Sequence, residues 1–545
     1  AKLSRFSTRS GRNVDDELSD FLIGELGFIP KGPQRPGLEG AIRAFLGQHL
    51  EQRTPIQELA IELIYDGADA LLISATASGK TEAVVIPIAA RLLTDAEAAV
   101  AVYVAPTRAL LNDLHRRLEA PLQQLGLAAR LRHGDYPLPE DTTGIRVLFT
   151  TPESLDVLLS KNTPLLSRAK YVILDEIHQV FGTPRGDQLG FLLERLERVS
   201  GKPLQRVALS ATVGDPGTIA AWLCPGRPAA QIVVAPGTRQ ILPDVRLLAG
   251  SVMLREWLEA SRRQKILYFV NSRRRCDDVY LTLRGAPPYE AFVHYSTLTK
   301  EQREYVERSF KSSTQAICVA TGTLELGIDI GSIDEIVLVD PPMTVSSFLQ
   351  RIGRGGRRGP YSSVVLTPQG PLDLLQFVAL LSLAGAAQVE AAPLTHPYSV
   401  LVQQIFSFIA GKRRLNLHID ELLELFARYS WLDRVSLGLV LEGLVAAGFL
   451  RSSASGRLYE VGPALETLID RHQIYSNILD AGGGIQVFHH GRLLAQLPLL
   501  RSQMGYGNTL LFAGRYWRIT SVTDDGVTVE LVMRIEEEFQ VSIEM

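Results

Sequence analysis

"LLISATASGKTEA" (71–83) begins as an apolar run, passes through small residues and ends in Gly-Lys-Thr opening a helical pattern. A strand that stops, a backbone that curls so its N–H groups converge, and a helix N-terminus with its partial positive charge make a cradle for phosphate. In such a cradle Ser78 and Gly79 line the turn and Lys80 reaches the β- and γ-phosphates. Thr81 holds magnesium, and Glu82 follows in the first helical turn. Ser74 stands where the first glycine of such a loop is usual, and Ala77 where another is common.

The second half of a hydrolytic site comes from "YVILDEIHQ" (171–179), an apolar strand ending in two carboxylates. Asp175 is the expected magnesium ligand, usually through water, and Glu176 the group that orients and deprotonates the attacking water. An acid pair after a fully apolar strand, downstream of Gly-Lys-Thr, points to hydrolysis of a nucleoside triphosphate.

Working outward, residues 55 to 370 alternate short β-branched runs with amphipathic helical stretches. The runs are "LLIS" (71–74), "VAVYVA" (100–105), "IRVLFT" (145–150), "YVILD" (171–175) and "RVALS" (206–210). After a Pro/Gly-containing break at "VVAPGTRQILPDV" (233–245) come "KILYFV" (265–270), "AICVA" (316–320), "EIVLVD" (335–340) and "SVVLT" (363–367). This alternation predicts two parallel sheets, each covered by helices on both faces, with a cleft between them. Past residue 388 three helical stretches precede a short hairpin pattern. That order fits a winged helix and fits a generic packing domain equally well. From Ala481 glycines alternate with short strands, which predicts a small antiparallel β-unit.

Composition sets further bounds. Of 545 residues, 46% are hydrophobic and 21% charged, enough apolar mass for several cores. The net charge of −3 argues against coating nucleic acid through bulk charge and leaves room for a local basic groove. Cys224, Cys276 and Cys318 are widely spaced, so neither zinc nor an iron–sulfur cluster is expected. The longest apolar stretch, "FVALLSLAGAAQV" from Phe377, falls short of the ~20 residues of a membrane span and reads as a core helix. The N-terminus lacks the apolar run of a secretory signal, so no membrane partner and a cytoplasmic location are the expectation.

Four stretches now narrow the reading: "DEIH" (175–178), "SAT" (210–212), "TGTLELGIDIG" (321–331) and "QRIGRGGRR" (350–358). Their order resembles the DExH branch of the superfamily 2 helicases across about two-thirds of the chain. "DEIHQVFGTPRGDQLGFLLERL", "HYSTLTKEQREYVE", "HPYSVLVQQIFSFIAG" and "FAGRYWRI" are similar to the large helicase-related (Lhr) group, in a shortened form of its core. The fold class this implies is α/β: two tandem RecA-like parallel-sheet domains, then a winged-helix domain and a small C-terminal β-unit. The expected boundaries are 51–237, 238–388, 389–475 and 476–545, with 1–50 an extension of no assigned role.

The resemblance also implies roles. Gln57 in "TPIQELA" would read the adenine edge, making ATP the nucleotide alongside Mg2+. Gly327 and Asp329 would touch it from the second domain, and Arg354 and Arg357, spaced from Gln350 as QxxGRxxR, would reach the γ-phosphate. His178 would link the nucleotide site to Ser210, Ala211 and Thr212, which communicate hydrolysis to the nucleic-acid groove. Pro106, Thr107, Arg108, Thr151, Pro152, Asn271, Arg273 and Thr321 would hold the tracking strand by its phosphates. The resulting expectation is an ATP-dependent helicase or translocase on single-stranded or partly duplex nucleic acid. DNA is favoured, motion is 3′ to 5′, and the role lies in repair or defence. The alternatives are an ATP-gated clamp in a larger complex, with a protein partner such as a nuclease, and an RNA helicase.

Overall fold

The computed structural model describes residues 35–531 apart from 48–52, 75–77, 96–97, 135, 212, 236–239, 247–249, 262, 326–329, 356–360, 387, 389–397, 428, 430, 454–455, 476–484, 498–506, 508, 513–514 and 524–525. The first sheet contains β1 (Ala70–Ile73), β2 (Val100–Val104), β3 (Ala128–Arg132), β4 (Ile145–Thr150), β5 (Ala169–Leu174), β6 (Gln205–Ser210) and β7 (Gln231–Val234). Their order is β3-β4-β2-β5-β6-β1-β7, and every neighbouring pair is parallel. Uninterrupted apolar strands are what such a sheet requires, because both faces are covered. Leu72, Ala101 and Tyr103 pack into one core with helices Lys80–Thr94 and Arg108–Gln124. Leu71, Ile73 and Val102 pack into another with helices Pro152–Ser160 and Pro184–Ser200.

The second sheet contains β8 (Gln240–Val245), β9 (Lys265–Phe269), β10 (Glu290–His294), β11 (Ala316–Ala320), β12 (Glu335–Leu338) and β13 (Tyr361–Leu366), in the order β10-β11-β9-β12-β13-β8, again all parallel. The stretch read as a break is therefore mostly strand. β7 closes one edge of the first sheet and β8 one edge of the second. Pro243 fits β8 because an edge strand leaves one side without ladder bonds. β3 and β10 also escaped the sequence reading. As edge strands with partly polar sequences, "AARLR" and "EAFVH", they lack the apolar run that marks a central parallel strand.

The stretch from Phe377 belongs to helix Pro371–Gly385, which buries Phe377 and Leu380 while Leu372, Leu375 and Val378 stay 80%, 65% and 53% exposed. It is not the core helix its composition suggested: it is apolar around most of its circumference, and one stripe of it meets the second sheet's core. Among the described residues no helix is long and apolar enough to cross a membrane.

Beyond it, helix Tyr398–Ala410, β14 (Asn416–His418), helices Ile419–Leu425 and Arg434–Ala446, β15 (Leu450–Ser452) and β16 (Leu458–Val461) form a unit whose core also takes in Phe191 of helix Pro184–Ser200. The three strands pair antiparallel in the order β14-β16-β15. The terminal sheet comprises β17 (Ile485–His489), β18 (Arg492–Leu497), β19 (Thr509–Phe512), β20 (Arg515–Val522) and β21 (Gly526–Leu531), ordered β18-β17-β21-β20-β19. It is mixed, not antiparallel throughout, because β17 pairs parallel with β21.

A buried polar cluster fastens the third unit to the first. Asp156, fully buried on helix Pro152–Ser160, accepts from Arg195 Nη1 at 2.8 Å, Gln188 Nε2 at 2.9 Å, Gln403 Nε2 at 3.0 Å and Gln404 Nε2 at 2.7 Å, and from the Ser407 hydroxyl. Arg195 also donates to Gln404 Oε1 at 2.9 Å. A charge so deeply buried is tolerable only when its lone pairs are satisfied, and here they are.

Candidate active site and nucleic-acid interface

The site forms where the carboxyl ends of β1, β5 and β6 lie side by side. Gly79 has φ +85°, a left-handed conformation that glycine adopts without steric cost, and it opens helix Lys80–Thr94. Lys80 is 8% exposed, and its Nζ donates to the Ser74 carbonyl after β1 at 2.5 Å and to the Ser210 carbonyl ending β6 at 2.9 Å. Burial pushes its ammonium pKa down, while the charges of Glu176 and Asp175 push back. The hydroxyls of Ser74 and Ser78 hydrogen-bond to each other across the turn. Glu82 faces Arg117 of the next helix at 3.5 Å. Gln57 is buried against the loop: its Oε1 accepts from Thr54 N at 3.1 Å and its Nε2 donates to the Gly79 carbonyl at 3.3 Å.

Asp175 follows β5, the central strand, and is 7% exposed. Its Oδ2 accepts from the Tyr103 hydroxyl at 2.7 Å and its Oδ1 from Glu176 N at 2.9 Å. Burial, and then the neighbouring Glu176 charge, raise its carboxyl to about 7. Two carboxylates packed side by side, with Lys80 as the cation acting on both, are a donor set that suits a hard divalent ion. Glu176 sits at φ +47°, a strained setting for a residue with a side chain and one that recurs at functional sites.

His178 lies at the junction of the two sheets. Its Nδ1 accepts from Ala211 N at 3.1 Å and lies 3.3 Å from Ser210 Oγ. Burial lowers its pKa, so the ring is neutral, and the bond from Ala211 places its proton on Nε2. Nε2 is 3.4 Å from Glu176 Oε2 and 2.6 Å from the side-chain amide of Gln350, on helix Val345–Ile352 of the second sheet's domain. With Nε2 a donor, the carboxamide must turn its oxygen toward the ring.

In the second domain Arg354 donates from Nε and Nη2 to the Glu325 carbonyl at 3.1 and 2.6 Å. Gly327, Asp329, Arg357 and Thr212 lie outside the described residues.

Beside this site the ends of β2 and β4 carry the stretches expected to face nucleic acid. Thr107 and Thr151 cap helices Arg108–Gln124 and Pro152–Ser160, accepting from Leu110 N at 3.3 Å and Ser154 N at 3.4 Å. A threonine hydroxyl that accepts at a cap keeps its own hydrogen to donate, and Thr151 gives that hydrogen to Ser154 Oγ at 3.2 Å. Pro106 and Pro152 are buried, and Arg108 is exposed. Across the cleft Asn271 is held by Asp340, Pro341 and Arg351, Arg273 opens helix Arg273–Leu283, and Thr321 N donates to the His294 carbonyl at 3.2 Å.

Two family models match in tandem: the DEAD/DEAH box helicase domain over residues 54–218 and the helicase conserved C-terminal domain over 250–359. The chain thus carries both of these helicase domains, one after the other. Among curated helicases it is 31% identical over 431 residues to the "Lhr helicase/ probable uracil glycosylase" of Mycolicibacterium smegmatis, covering 66% of this chain and 28% of that protein. It is 31% identical over 380 residues to the "ATP-dependent helicase Lhr-Core" of Methanocaldococcus jannaschii, covering 63% of this chain and 45% of that protein. The solved Mycobacterium smegmatis helicase Lhr, bound to ssDNA and AMP-PNP, superposes with a TM-score of 0.70 at 28% identity, covering 78% of this chain and 61% of that one. This chain thus spans less than half the length of the two curated relatives.

Several helicase-domain residues that hold this geometry escaped the sequence reading. Arg351, 5% exposed, donates to Glu325 Oε1 at 2.7 Å and to Asn271 Oδ1 at 3.1 Å, joining three motif stretches. Arg185 donates to the Pro106 carbonyl at 2.8 Å and to Glu153 at 2.7 Å, joining the β2 and β4 ends. Tyr103 was read only as part of an apolar strand, although a hydroxyl in the middle of one was a usable signal.

Proposed function

We propose that this chain is an ATP-driven motor that tracks 3′ to 5′ along single-stranded DNA and displaces the strand paired to it, in DNA or RNA:DNA duplexes. The observation that carries the reading is the contact of His178 with Glu176, the Ser210–Ala211 segment and Gln350 of the other domain. A group touching the hydrolytic acid, the segment leading to the groove and the opposite domain can turn a chemical event into a relative motion of domains. DNA is favoured because a relative superposing over 78% of this chain was solved with ssDNA. The expected use is DNA repair or defence.

In this reading Gln57 reads the adenine edge and Lys80 holds the terminal phosphates. Glu176 takes the proton of the attacking water, and Arg354 and Arg357 meet the charge that develops on the transferred group. Asp175 and Thr81 would hold Mg2+, which supplies charge neutralisation to the phosphates. Pro106–Arg108, Thr151–Pro152, Asn271, Arg273 and Thr321 grip the strand through phosphates, so binding is sequence-blind and falls with salt. Residues 51–237 and 238–388 act as the two moving domains. A winged helix over 389–475 braces the channel, and 476–545 forms the terminal β-unit.

The test is ATP hydrolysis without nucleic acid, then with single-stranded DNA, single-stranded RNA and duplexes of each. Strong stimulation by single-stranded DNA, with unwinding of duplexes carrying a 3′ tail and not a 5′ tail, is the expected result. A rate indifferent to every nucleic acid overturns the reading, and stimulation by RNA alone moves it to an RNA helicase.

A further inference from the structure

The row of strand ends continues past β4 to β3, the outermost strand of the first sheet. At about 4.8 Å per strand, the end of β3 lies roughly 10 Å from the end of β2, where Thr107 and Arg108 stand. The turn leaving β3 is built with care. His133 is fully buried, its Nε2 2.8 Å from Asn112 Oδ1 on helix Arg108–Gln124. Tyr136 N donates to the His133 carbonyl at 3.0 Å, and the two form an isolated antiparallel bridge. Arg132 Nη1 donates to the His133 carbonyl at 2.5 Å and to the Tyr136 carbonyl at 3.4 Å. A Cβ placed on Gly134 would stand 2.9 Å from Arg108 Nη2, so the glycine lets the Arg108 guanidinium lie against this turn.

The turn carries Tyr136, 44% exposed, its ring perpendicular to that of His133 at 87° with centroids 4.9 Å apart. In the second domain the matching strand end, after β10, carries Tyr295, which is 1% exposed with its hydroxyl bonded to Asp277. Other rings of this chain are as exposed, Tyr305 at 61% among them; what sets Tyr136 apart is its place, on a turn pinned by a buried histidine and an arginine, at the end of the row of strand ends and beside Arg108. The flat partner that suits an aromatic face flanked by guanidinium groups is a nucleobase.

Building on the function proposed above, we propose that Tyr136 is a base-stacking platform at the β3 end of the nucleic-acid track, where a base of the bound strand rests on its ring while Arg108 holds an adjoining phosphate. The platform is sequence-tolerant, because every base offers a π face, and it gives the phosphate-gripping row a contact that a strand without bases cannot make.

The experiment measures affinity of the full chain for a labelled DNA oligonucleotide and for the same oligonucleotide with abasic sites. The wild type should prefer the strand with bases. Tyr136→Ala should weaken binding of that strand about 5- to 150-fold, the worth of one base–aromatic stack, and leave the abasic strand unaffected. Tyr136→Phe should bind as the wild type does. Tyr136→Leu, which keeps apolar bulk for the fold, should behave as the alanine variant. Equal affinity in Tyr136→Ala and wild type overturns the proposal, as does an equal loss toward both strands, which would mark a backbone contact. A wild type that binds no single strand removes the function proposed above, and the platform with it.

Discussion

The Gln350 side-chain amide lies 2.6 Å from Nε2 of His178, and it joins two domains through residues 172 positions apart in the sequence. The opposite ring nitrogen takes the backbone N–H of Ala211, so one neutral imidazole is held between the second domain and the segment after β6. Replacing Gln350 with Ala leaves a buried Nε2–H without that acceptor, a cost of about 1–3 kcal/mol, or roughly 5- to 150-fold in rate. DNA-stimulated kcat should fall in that range. A cycle with His178→Ala should be non-additive by roughly 0.5–3 kcal/mol, and full additivity would mean the contact does not couple.

In the function proposed above, Glu176 is the general base. Glu176→Gln keeps the shape and removes the proton acceptor, so steady-state phosphate release should drop about a hundred- to ten-thousand-fold. Binding of a nucleotide analogue and of single-stranded DNA should persist. Unchanged phosphate release would remove Glu176 from the chemistry.

Gly79→Ala meets two obstacles. The backbone sits at φ +85°, and the new Cβ would lie 2.5 Å from Gln57 Nε2. The left-handed geometry alone costs roughly 1–2 kcal/mol for a residue with a Cβ. In a Gln57→Ala background the closest contact is gone and only Thr54 Oγ1, at 3.1 Å, still crowds the new Cβ, so Gly79→Ala should lower the unfolding midpoint less there than in the wild type.

Asp156→Ala removes the acceptor for Arg195 and three glutamines at once. Leaving a buried guanidinium unpaired costs about 3–5 kcal/mol. Denaturant unfolding should show the helix Tyr398–Ala410 unit separating from the first domain before global unfolding, whereas the wild type unfolds these parts together.

Asp187, in the first turn of helix Pro184–Ser200, offers a pH test. Burial raises its carboxyl from 3.8 to about 6. A carboxyl raised on folding favours the native state fully below its unfolded value, and that contribution is lost as pH rises through the folded value. Asp187→Asn should therefore unfold at a higher temperature than wild type at pH 8, with the gap closing toward pH 4. A gap independent of pH would show that the carboxyl does not titrate this way.

The sequence by itself determined the local chemistry. Gly-Lys-Thr after an apolar strand places a left-handed glycine and a helix N-terminus near the strand's end, an apolar strand followed by Asp175-Glu176 delivers acids to the end of the sheet, and apolar runs alternating with amphipathic helices impose parallel sheets. These follow from interactions within a few residues of one another. Only the tertiary structure decided which distant groups meet. It put Arg351 between Glu325 and Asn271, gave Asp156 its partners on Tyr398–Ala410, and set His178 against Gln350. It also turned most of the break at 233–245 into two edge strands on different sheets. Such contacts depend on how whole helices and sheets pack, and a local pattern holds no record of the element it will be pressed against. Burial then gives them their strength, because in a low-dielectric interior a paired polar group is stabilised and an unpaired one is costly.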